Sequence, residues 1–330
     1  MGGPVAWVRG RRVRVATVAV VALVAAVAAG LGVGSVGARL SRSQAGAAPR
    51  AQAGAVLAAG GQLIAGPGVA YVVLPRAGTV QQVDPTSLAD VGAAVRLTAP
   101  LDTAALDGSD TLWVPVQALG ELVPVYGGKT GRPVVVGAPD EYLQLTIAGG
   151  TPVVTDSAAA TVTVVGTAGV VRSISLRSSL GQGAGLVTPV ATAGPAVPVV
   201  SRSSHMVLVV DTARGSASSP FPLKASGSLG APQLLGSLVY VPDQSTGELI
   251  VYDSRLGKLD GRIRVTGRRG QLEAFLDGGR LLVDDQDSGA AVVVGPDGAV
   301  HALDAAAAGA ALVPPPTPRP APSPSRRPRQ

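Results

Sequence analysis

A pattern of short strands recurs six times along the chain and constrains the fold more than any other feature. In residues 238–265, LVYVPDQSTGELIVYDSRLGKLDGRIRV, a β-rich segment ends in Asp243, a polar turn carries Gly247, and two more strands follow. Strands of about 4–6 residues separated by Gly, Asp and Ser turns are typical of an antiparallel meander. This segment therefore predicts three consecutive strands.

One mostly apolar position marks the first of these strands in every copy of the repeat. These anchor residues are Tyr71, Trp113, Val153, Pro198, Tyr240 and Leu282. Their spacings are 42, 40, 45, 42 and 42 residues. A second strand is predicted to end 12 or 13 residues after each anchor, at Val83, Tyr126, Val165, Val210, Tyr252 and Val294.

A period of about 40–45 residues with roughly four short strands per unit is the signature of β-propeller blades. The sequence therefore predicts an all-β propeller of six blades, with seven as the alternative, in which the anchors lie between blades. Strands around residues 56–64 and 298–303 are expected to share one blade and close the ring.

The chain outside the repeats, which occupy residues 59–304, divides into four shorter segments. Residues 1–14 are basic, residues 15–38 are uncharged and apolar, and residues 39–58 form a linker rich in small residues. Residues 305–330 end in PPPTPRPAPSPSRRPRQ, which has eight prolines in 17 residues. This composition predicts an extended, disordered tail with polyproline II character.

The uncharged run VATVAVVALVAAVAAGLGVGSVGA, residues 15–38, predicts one transmembrane helix. Its 24 residues, at about 1.5 Å each, are enough to span a hydrocarbon core of roughly 30 Å. Four arginines precede it directly, and positive charge favours the cytoplasmic side. We therefore expect a single-pass membrane protein with residues 59–304 outside the cytoplasm. The alternative is a signal peptide cleaved near Ala38, which would give a secreted protein.

The distribution of charge argues against nucleic-acid binding. Eleven of the 27 basic residues lie in residues 1–50 and 314–330, which contain no acid. The remaining 16 basic residues accompany 21 acidic ones, so the central body has a net charge of −5. A nucleic-acid-binding domain carries its basic surface on the folded part. The absence of cysteine also excludes disulfides, cysteine zinc sites and thiol catalysis.

The segment LVYVPDQSTGELIVYDSRLGKLDG, residues 238–261, resembles the repeats of quinoprotein-like and YVTN/NHL-like bacterial propellers. The resemblance covers about residues 59–304. The order of basic N-terminus, single span, propeller and Pro-rich stretch also resembles the front end of bacterial surface proteins that continue into fibronectin type III domains, although no such domain is visible here. Quinone-dependent relatives would imply a quinone cofactor, often calcium, and a vicinal cysteine pair. Because this chain has no cysteine, we predict no cofactor.

The stretch VYGGKTG, Val125–Gly131, contains the Gly-Lys-Thr ending of a phosphate-binding P-loop. A P-loop needs a glycine where this chain has Val123, and a helix must follow it. Here GRPVVVG follows, which predicts a strand. In the repeat alignment its last six residues, Tyr126–Gly131, lie over residues 252–257, YDSRLG. The sequence therefore predicts an inter-strand turn of the second blade and no nucleotide site.

The two histidines and one acidic loop are candidates for catalysis or metal binding. His205 and His301 have no orienting partner visible in the sequence, so both are predicted to be blade-rim residues. The loop DDQDSG places Asp285 and Asp287 as alternating oxygen ligands, but Pro296 stands where an EF-hand has its bidentate glutamate. A structural turn is the prediction for this loop, and a metal site is the alternative.

Paired carboxylates, Asp102 with Asp107 and Asp140 with Glu141, are candidates for glycosidase acids, whose separation the sequence does not contain. We predict no catalytic, cofactor-binding or metal-binding residues. The chain is expected to be a binding or scaffold module of the bacterial cell envelope, with the membrane and a cell-wall glycan or envelope protein as partners and no nucleic acid. The alternatives are an envelope carbohydrate-active hydrolase and a sensor that works with a membrane partner.

Overall fold

The computed structural model describes residues 60–303, and these residues are almost entirely β-structure. Their 27 strands form six sheets of four or five strands, which follow one another along the chain and are called blades 1 to 6 here. The predicted transmembrane segment 15–38, the linker 39–58 and the tail 305–330 lie outside the described residues. Within 60–303, no helix has the length and apolar character needed to cross a membrane.

Blades 1 to 3 occupy the first half of the described chain. Blade 1 consists of β1 (Gln62–Ala65), β2 (Ala70–Leu74), β3 (Thr79–Val83) and β4 (Val95–Arg96). Blade 2 consists of β5 (Ala105–Leu106), β6 (Leu112–Val116), β7 (Glu121–Tyr126), β8 (Lys129–Thr130) and β9 (Val134–Val135). Blade 3 consists of β10 (Leu143–Ala148), β11 (Thr151–Asp156), β12 (Thr161–Gly166), β13 (Gly169–Ser175) and β15 (Ala191–Thr192).

Blades 4 to 6 repeat the same plan. Blade 4 consists of β14 (Leu186–Val187), β16 (Ala196–Ser201), β17 (Met206–Asp211), β18 (Ser216–Ala217) and β19 (Phe221–Pro222). Blade 5 consists of β20 (Gln233–Leu235), β21 (Leu238–Asp243), β22 (Glu248–Asp253) and β23 (Lys258–Arg264). Blade 6 consists of β24 (Leu272–Asp277), β25 (Arg280–Asp285), β26 (Ala291–Val294) and β27 (Val300–Leu303). The helical elements are single turns: α1 (Arg177–Leu180) and 3-10 turns at Pro75–Ala77 and Gln117–Leu119.

The first strand of each blade lies at the inner edge of its sheet, except in blade 3, where the short strand β15 pairs in parallel with β10 on that side. These strands contact the first or second strands of the neighbouring blades, as β1 does with β5 and β20 with β24. The sequence pattern places the anchor residue on the first strand of its repeat, whereas this strand is the second of its blade. Of the true first strands, the sequence predicts only β1, within the strand expected around residues 56–64. The predicted ends of the next strand along are correct to within one residue in all six blades.

Each blade has two faces, and we call the side turned to the next blade in chain order the leading face and the opposite side the trailing face. Tyr71, Trp113, Val153 and Tyr240 each lie on a leading face, in the core shared with the next blade. The prediction that anchors pack between blades is thus confirmed for them. Leu282, the anchor of blade 6, is only half-buried.

Five apolar cores join the blades in sequence, from blades 1 and 2 through to blades 5 and 6. The anchor strands β6, β11, β16 and β21 are buried on both faces, which explains their near-continuous apolar sequences. In β2 and β25 burial alternates from residue to residue. Blades 1 and 6 therefore have one well-buried face each.

The expected closure of the ring by a shared blade is wrong for the described residues. Strand β1 pairs within blade 1, and β27 pairs within blade 6. None of the five cores formed by residues 60–303 joins blade 6 to blade 1. The leading face of blade 6 and the trailing face of blade 1 are thus the two blade faces that none of the five cores of the described residues covers.

Candidate functional site

Aspartates at the ends of the third strands close the turns that follow them. The carboxylates of Asp84, Asp211 and Asp253 each accept hydrogen bonds from the backbone N–H groups two and three residues onward. At Asp84, the backbone N–H and hydroxyl of Ser87 and the N–H of Thr86 hold the pKa of the carboxyl below its usual value. These are Asx-type turns, so the carboxylates stabilise the blade edges.

The loop DDQDSG is a turn of the same kind. Asp285 ends β25, is almost fully buried, and accepts hydrogen bonds from the N–H of Asp287 and the hydroxyl of Ser288. Asp287 accepts a hydrogen bond from the N–H of Gln271 at 3.2 Å. Both carboxylates therefore already have protein donors as partners. No group of three or more His, Cys, Asp or Glu residues within 60–303 is arranged to hold a metal ion.

Three of the four carboxylates considered as glycosidase acids accept hydrogen bonds from nearby backbone N–H groups, and the fourth, Asp140, lies in a turn. Asp107 accepts hydrogen bonds from the backbone N–H groups of Ser109 and Thr111. Asp102 accepts one from the N–H of Thr103, and Glu141 accepts one from the N–H of Ala138. Asp140 adopts a left-handed backbone conformation, with φ of 65°, in the turn beside Glu141.

The central strands bring together few ionisable groups. Among the described first strands of the six blades, only β24 carries carboxylates, Glu273 and Asp277. The polar contacts here join neighbouring blades instead: Gln144 binds the backbone of Leu186 and Thr188. No pair of carboxylates from different blades converges in this described part of the centre, which a hydrolase of the glycosidase type would require.

The stretch VYGGKTG is the hairpin between β7 and β8 of blade 2, as the repeat alignment predicts. Gly127 and Gly128 form the turn, both with positive φ, and Lys129 pairs with Tyr126 across it. The chain continues into the short strand β9 and no helix follows. The geometry is that of a hairpin, and it lacks the strand–loop–helix arrangement that cradles phosphates.

The two histidines lie far apart in the chain and in different surroundings. His205 occupies the turn between β16 and β17, with φ of 51°, and its carbonyl accepts a hydrogen bond from the N–H of Leu223. His301 is exposed in β27 and pairs with Val293 across the sheet. His205 has a structural position in its turn, whereas His301 belongs to the surface described next.

The leading face of blade 6 is the described surface with the strongest features of a binding site. Every residue on this face is half-buried or exposed, whereas its trailing face is mostly buried against blade 5. The residues paired across this face are Glu273, Phe275, Asp277, Arg280, Leu282, Asp284, Ala291, Val293, His301 and Leu303. Apolar side chains thus alternate with charged ones on one exposed sheet face.

Two adjoining cavities lie on this face and share Arg280 and Val293. The smaller, of about 270 Å³, is also lined by Asp277, Gly278 and Leu282. The larger, of about 540 Å³, extends to the turn at Gly295–Asp297 and to the exposed strand β27. We call this concavity, which is open to solvent, the blade 6 groove.

The charges of the groove are available for recognition. Arg280 takes part in none of the salt bridges formed within residues 60–303, although Asp277 lies opposite it across β24 and β25. The exposed guanidinium of Arg280 carries a positive charge and five N–H donors, and it lies beside the apolar side chains of Leu282 and Val293. This arrangement favours a ligand that carries both an apolar group and an acidic or carbonyl oxygen.

The other end of the same face is acidic. Glu273 and Asp284 lie directly opposite each other across β24 and β25. Burial, the facing Glu273 and the adjacent Asp285 raise the pKa of Asp284 above its ordinary value, in that order of importance. Like charges directly opposite each other destabilise a sheet, so this pair lowers the stability of blade 6.

Sequence reasoning missed this surface, although a signal for it was present. The second strands of the inner blades read LWVPV, AVPVVS and LVYVPD, which are apolar on both faces. In blade 6 the second strand, RLLVDD, and the first strand, LEAFLD, place four charged residues on one face: Glu273, Asp277, Arg280 and Asp284. Charges that recur on one face of a strand indicate that this face is turned away from the core.

Structural comparison identifies the fold as that of β-propeller proteins. Virginiamycin B lyase from Staphylococcus aureus superposes with a TM-score of 0.57 at 9% identity, over 73% of this chain and 82% of the lyase. Kuenenia stuttgartiensis hydrazine synthase gives 0.54 at 16%, over 71% and 76%. The dihydro-heme d1 dehydrogenase NirN gives 0.52 at 15%, over 71% of this chain and 54% of NirN. No protein-family model matches the sequence, nor does any curated protein.

The protein is therefore a β-propeller whose described part contains six blades. Identities of 9–16% show a shared fold and nothing about chemistry. The predicted resemblance to bacterial propeller repeats is confirmed at the level of fold. Its finer parts, the membrane anchor and the likeness to proteins with fibronectin domains, remain predictions.

Proposed function

We propose that this chain is a membrane-anchored, extracytoplasmic β-propeller that binds a ligand or protein partner of the bacterial cell envelope through the blade 6 groove. The observation that carries the proposal is the pairing of an exposed Arg280 with apolar Leu282 and Val293, on a blade face that no core formed by residues 60–303 covers. Exposed apolar surface rimmed by polar residues is typical of interaction sites.

The carboxylates favour binding over hydrolysis. Each acid that the sequence singled out as a catalytic candidate accepts hydrogen bonds within its own turn or lies in a strained turn position. A general acid must instead be free to reach the leaving group of a substrate. Envelope location rests on the uncharged segment 15–38, its preceding arginines and the acidic balance of the body.

Affinity capture from envelope fractions tests the binding function. The detergent-solubilised full chain is immobilised, and retained glycan and protein are quantified for wild type and for Arg280→Glu. Arg214→Glu is the matched control, because Arg214 is an exposed arginine of a blade 4 turn outside the groove. We expect wild type and the control to retain the same partner and Arg280→Glu to lose about tenfold of it. Equal retention by all three would refute the groove as the site.

Protease accessibility tests the location. On intact cells, added protease is expected to digest residues 59–304 while a cytoplasmic marker survives. Digestion only after lysis would place the propeller inside and overturn the proposed topology.

A further inference from the structure

Two of the outer strands are much longer than the others. β13 of blade 3 and β23 of blade 5 have seven residues each, whereas the outermost strands of the other blades have two to four. Each long strand pairs with its neighbour on one side only, β13 with β12 and β23 with β22. The backbone N–H and C=O groups on their outer sides therefore have no strand partner within residues 60–303. A free edge of this length is able to pair with a strand of another chain.

The two long edges differ in charge at equivalent positions. Both strands contain a bulge of one residue, at Val171 in β13 and at Asp260 in β23, and this bulge aligns them residue by residue. The charged residues of β23 are Lys258, Asp260, Arg262 and Arg264, and the residues of β13 at these positions are Gly169, Val171, Ser173 and Ser175. Charged side chains protect an edge strand from pairing with other chains. β23 has this protection, and β13 lacks it at all four positions.

The one charged residue of β13 is held against the neighbouring blade. Nη1 of Arg172 donates a hydrogen bond to the carbonyl of Ala213 in blade 4, at 3.0 Å. Gly215 makes room for the guanidinium, since a Cβ at this position would lie 2.3 Å from the same nitrogen. Arg172 is thus bound to blade 4 and does not protect the outer edge of β13.

Three exposed valines lie beside this edge. Val170 and Val171 of β13 are 50% and 67% exposed, and Val135 of β9 in blade 2 is 66% exposed. β9 and β13 are in contact, so both strands contribute to the same stretch of the outer rim. An added strand gains affinity from backbone hydrogen bonds at a free edge and specificity from its side-chain contacts. β13 and its valines offer both kinds of contact.

The surroundings of the edge are basic, although the body of the protein carries a net negative charge. Residues 157–210 contain no acid. Arg177 follows β13 by two residues, Arg132 precedes β9 by two, and both are exposed. One acid of the adjoining blade 2 sheet, Glu121, lies opposite Val135 across β7 and β9. This charge favours an acidic partner and disfavours a second copy of the chain, which would present the same arginines.

We propose that β13 is a docking edge, at which an extended segment of a partner protein that carries both apolar and acidic side chains adds to blade 3 as a further strand. The backbone of the segment pairs with the outer side of β13. Its apolar side chains cover Val135, Val170 and Val171, and its carboxylates lie near Arg132 and Arg177. The docking edge lies on blades 2 and 3, so the inference does not rest on the blade 6 groove.

Binding of a labelled synthetic peptide tests the proposal. The probe is a seven-residue peptide in which valine alternates with glutamate, and its binding to the detergent-solubilised full chain is measured by fluorescence anisotropy. We expect saturable binding by the wild type and a loss of about tenfold or more for Val171→Lys, which restores a charge at the position of Asp260. Leu256→Lys is the matched control, because Leu256 is 65% exposed in a blade 5 turn. It should bind as the wild type does.

Two further peptides separate the parts of the proposal. One has lysine in place of glutamate, and the other is N-methylated at every second backbone nitrogen and so cannot add as a strand along that edge. Both are expected to bind at least tenfold more weakly than the probe. Equal binding of the lysine peptide would refute the acidic partner, and equal binding of the N-methylated peptide would refute strand addition.

Hydrogen exchange locates the binding and supplies an independent readout. With the probe bound, amides within residues 170–175 should exchange more slowly, while those of residues 259–264 in β23 should not change. Three outcomes would overturn the proposal. They are no binding of the probe by the wild type, protection elsewhere without protection of β13, and a dimer of the wild type that Val171→Lys abolishes, which would mean that a second copy covers the edge.

Discussion

Trp113 Nε1 donates a hydrogen bond to Asp107 Oδ2 at 2.8 Å, which joins the anchor residue of blade 2 to the turn that precedes its strand. The other carboxylate oxygen accepts the backbone N–H groups of Ser109 and Thr111. Trp113 itself is 1% exposed, in the core between blades 2 and 3. An acid that the sequence offers as a catalytic candidate is therefore part of the structure that positions an anchor.

Removing this carboxylate should destabilise the fold. We expect Asp107→Ala to lower the free energy of unfolding by about 2–3 kcal/mol, because a buried indole N–H and two backbone donors lose their acceptor. Asp90→Ala, an exposed acid without side-chain hydrogen bonds in the described structure, should change it by less than about 0.5 kcal/mol. Urea denaturation measures both. A double-mutant cycle with Trp113→Phe should show coupling of about 1 kcal/mol, and zero coupling would contradict the contact.

Substitutions at two glycines of blade 2 allow the cost of backbone strain to be measured separately from the cost of a steric clash. Both Gly120 and Gly127 have positive φ, at 65° and 55°. A Cβ on Gly120 would lie 2.3 Å from the carbonyl oxygen of Gly137, whereas one on Gly127 meets nothing within 4 Å. We expect Gly127→Ala to cost about 1 kcal/mol, from conformation alone, and Gly120→Ala about 3 kcal/mol or more. Equal losses in chemical denaturation would show that the turn at Gly120 is less tightly packed than described.

Because the pKa of Asp284 is raised, replacing this carboxylate with a neutral amide is expected to increase thermal stability in a pH-dependent way. A raised folded-state pKa means that the folded protein holds this proton more tightly than the unfolded chain does. The associated stability is fully present below the unfolded pKa, near ~4, and is lost as pH rises through the folded pKa. Asp284→Asn should therefore raise Tm at pH 7 by about 1–4 °C, from relief of the facing charge, and the gain should vanish toward pH 4.

Asp84 provides a control for that experiment, because its pKa is shifted in the opposite direction to that of Asp284. Its pKa is lowered by hydrogen bonds from Ser87 and Thr86, so its contribution to stability is present above the unfolded pKa and is lost as pH falls. Asp84→Asn should lower Tm at pH 7. Melting curves of both variants between pH 4 and 7 check the two signs, and a gain for Asp284→Asn that persists undiminished at pH 4 would contradict the assignment.

The inter-blade contact of Gln144 should contribute to cohesion at the centre of the propeller. Its Nε2 donates to the carbonyl of Leu186, in β14 of blade 4, at 2.6 Å, and its Oε1 accepts the N–H of Thr188, just after that strand, at 3.0 Å. We expect Gln144→Ala to lower the free energy of unfolding by about 2 kcal/mol, because two part-buried backbone groups lose partners. Gln271→Ala is the matched control, since the Gln271 side chain is exposed and makes no hydrogen bond in the described part. Equal stability of the two variants would show that water replaces the contact.

Strand order and turn positions were accessible from the sequence because they depend on residues close together in the chain. The Asp and Gly turns and the anchors located the second and third strands of every blade. Among the first strands, β5 and β14 were not predictable, since they have two residues each and no period can be read from two residues. The fourth copy, weakest in sequence because its anchor is Pro198, forms a complete blade nonetheless.

The sequence by itself determined the number of repeats, the register of their turns and the all-β fold, because each depends on the spacing of apolar and turn residues that are close together in the chain. Only the tertiary structure decided what the side chains do: Asp107 and Asp285 bind turns, and Leu282 and Arg280 line a face that the described residues leave exposed to solvent. The physical reason is that a side chain is buried only when a second surface packs against its own, and the pattern of one strand does not show what that second surface is. Blade 6 repeats the strand order of its neighbours, and the charges on its first two strands showed their meaning only once the structure placed them on its leading face.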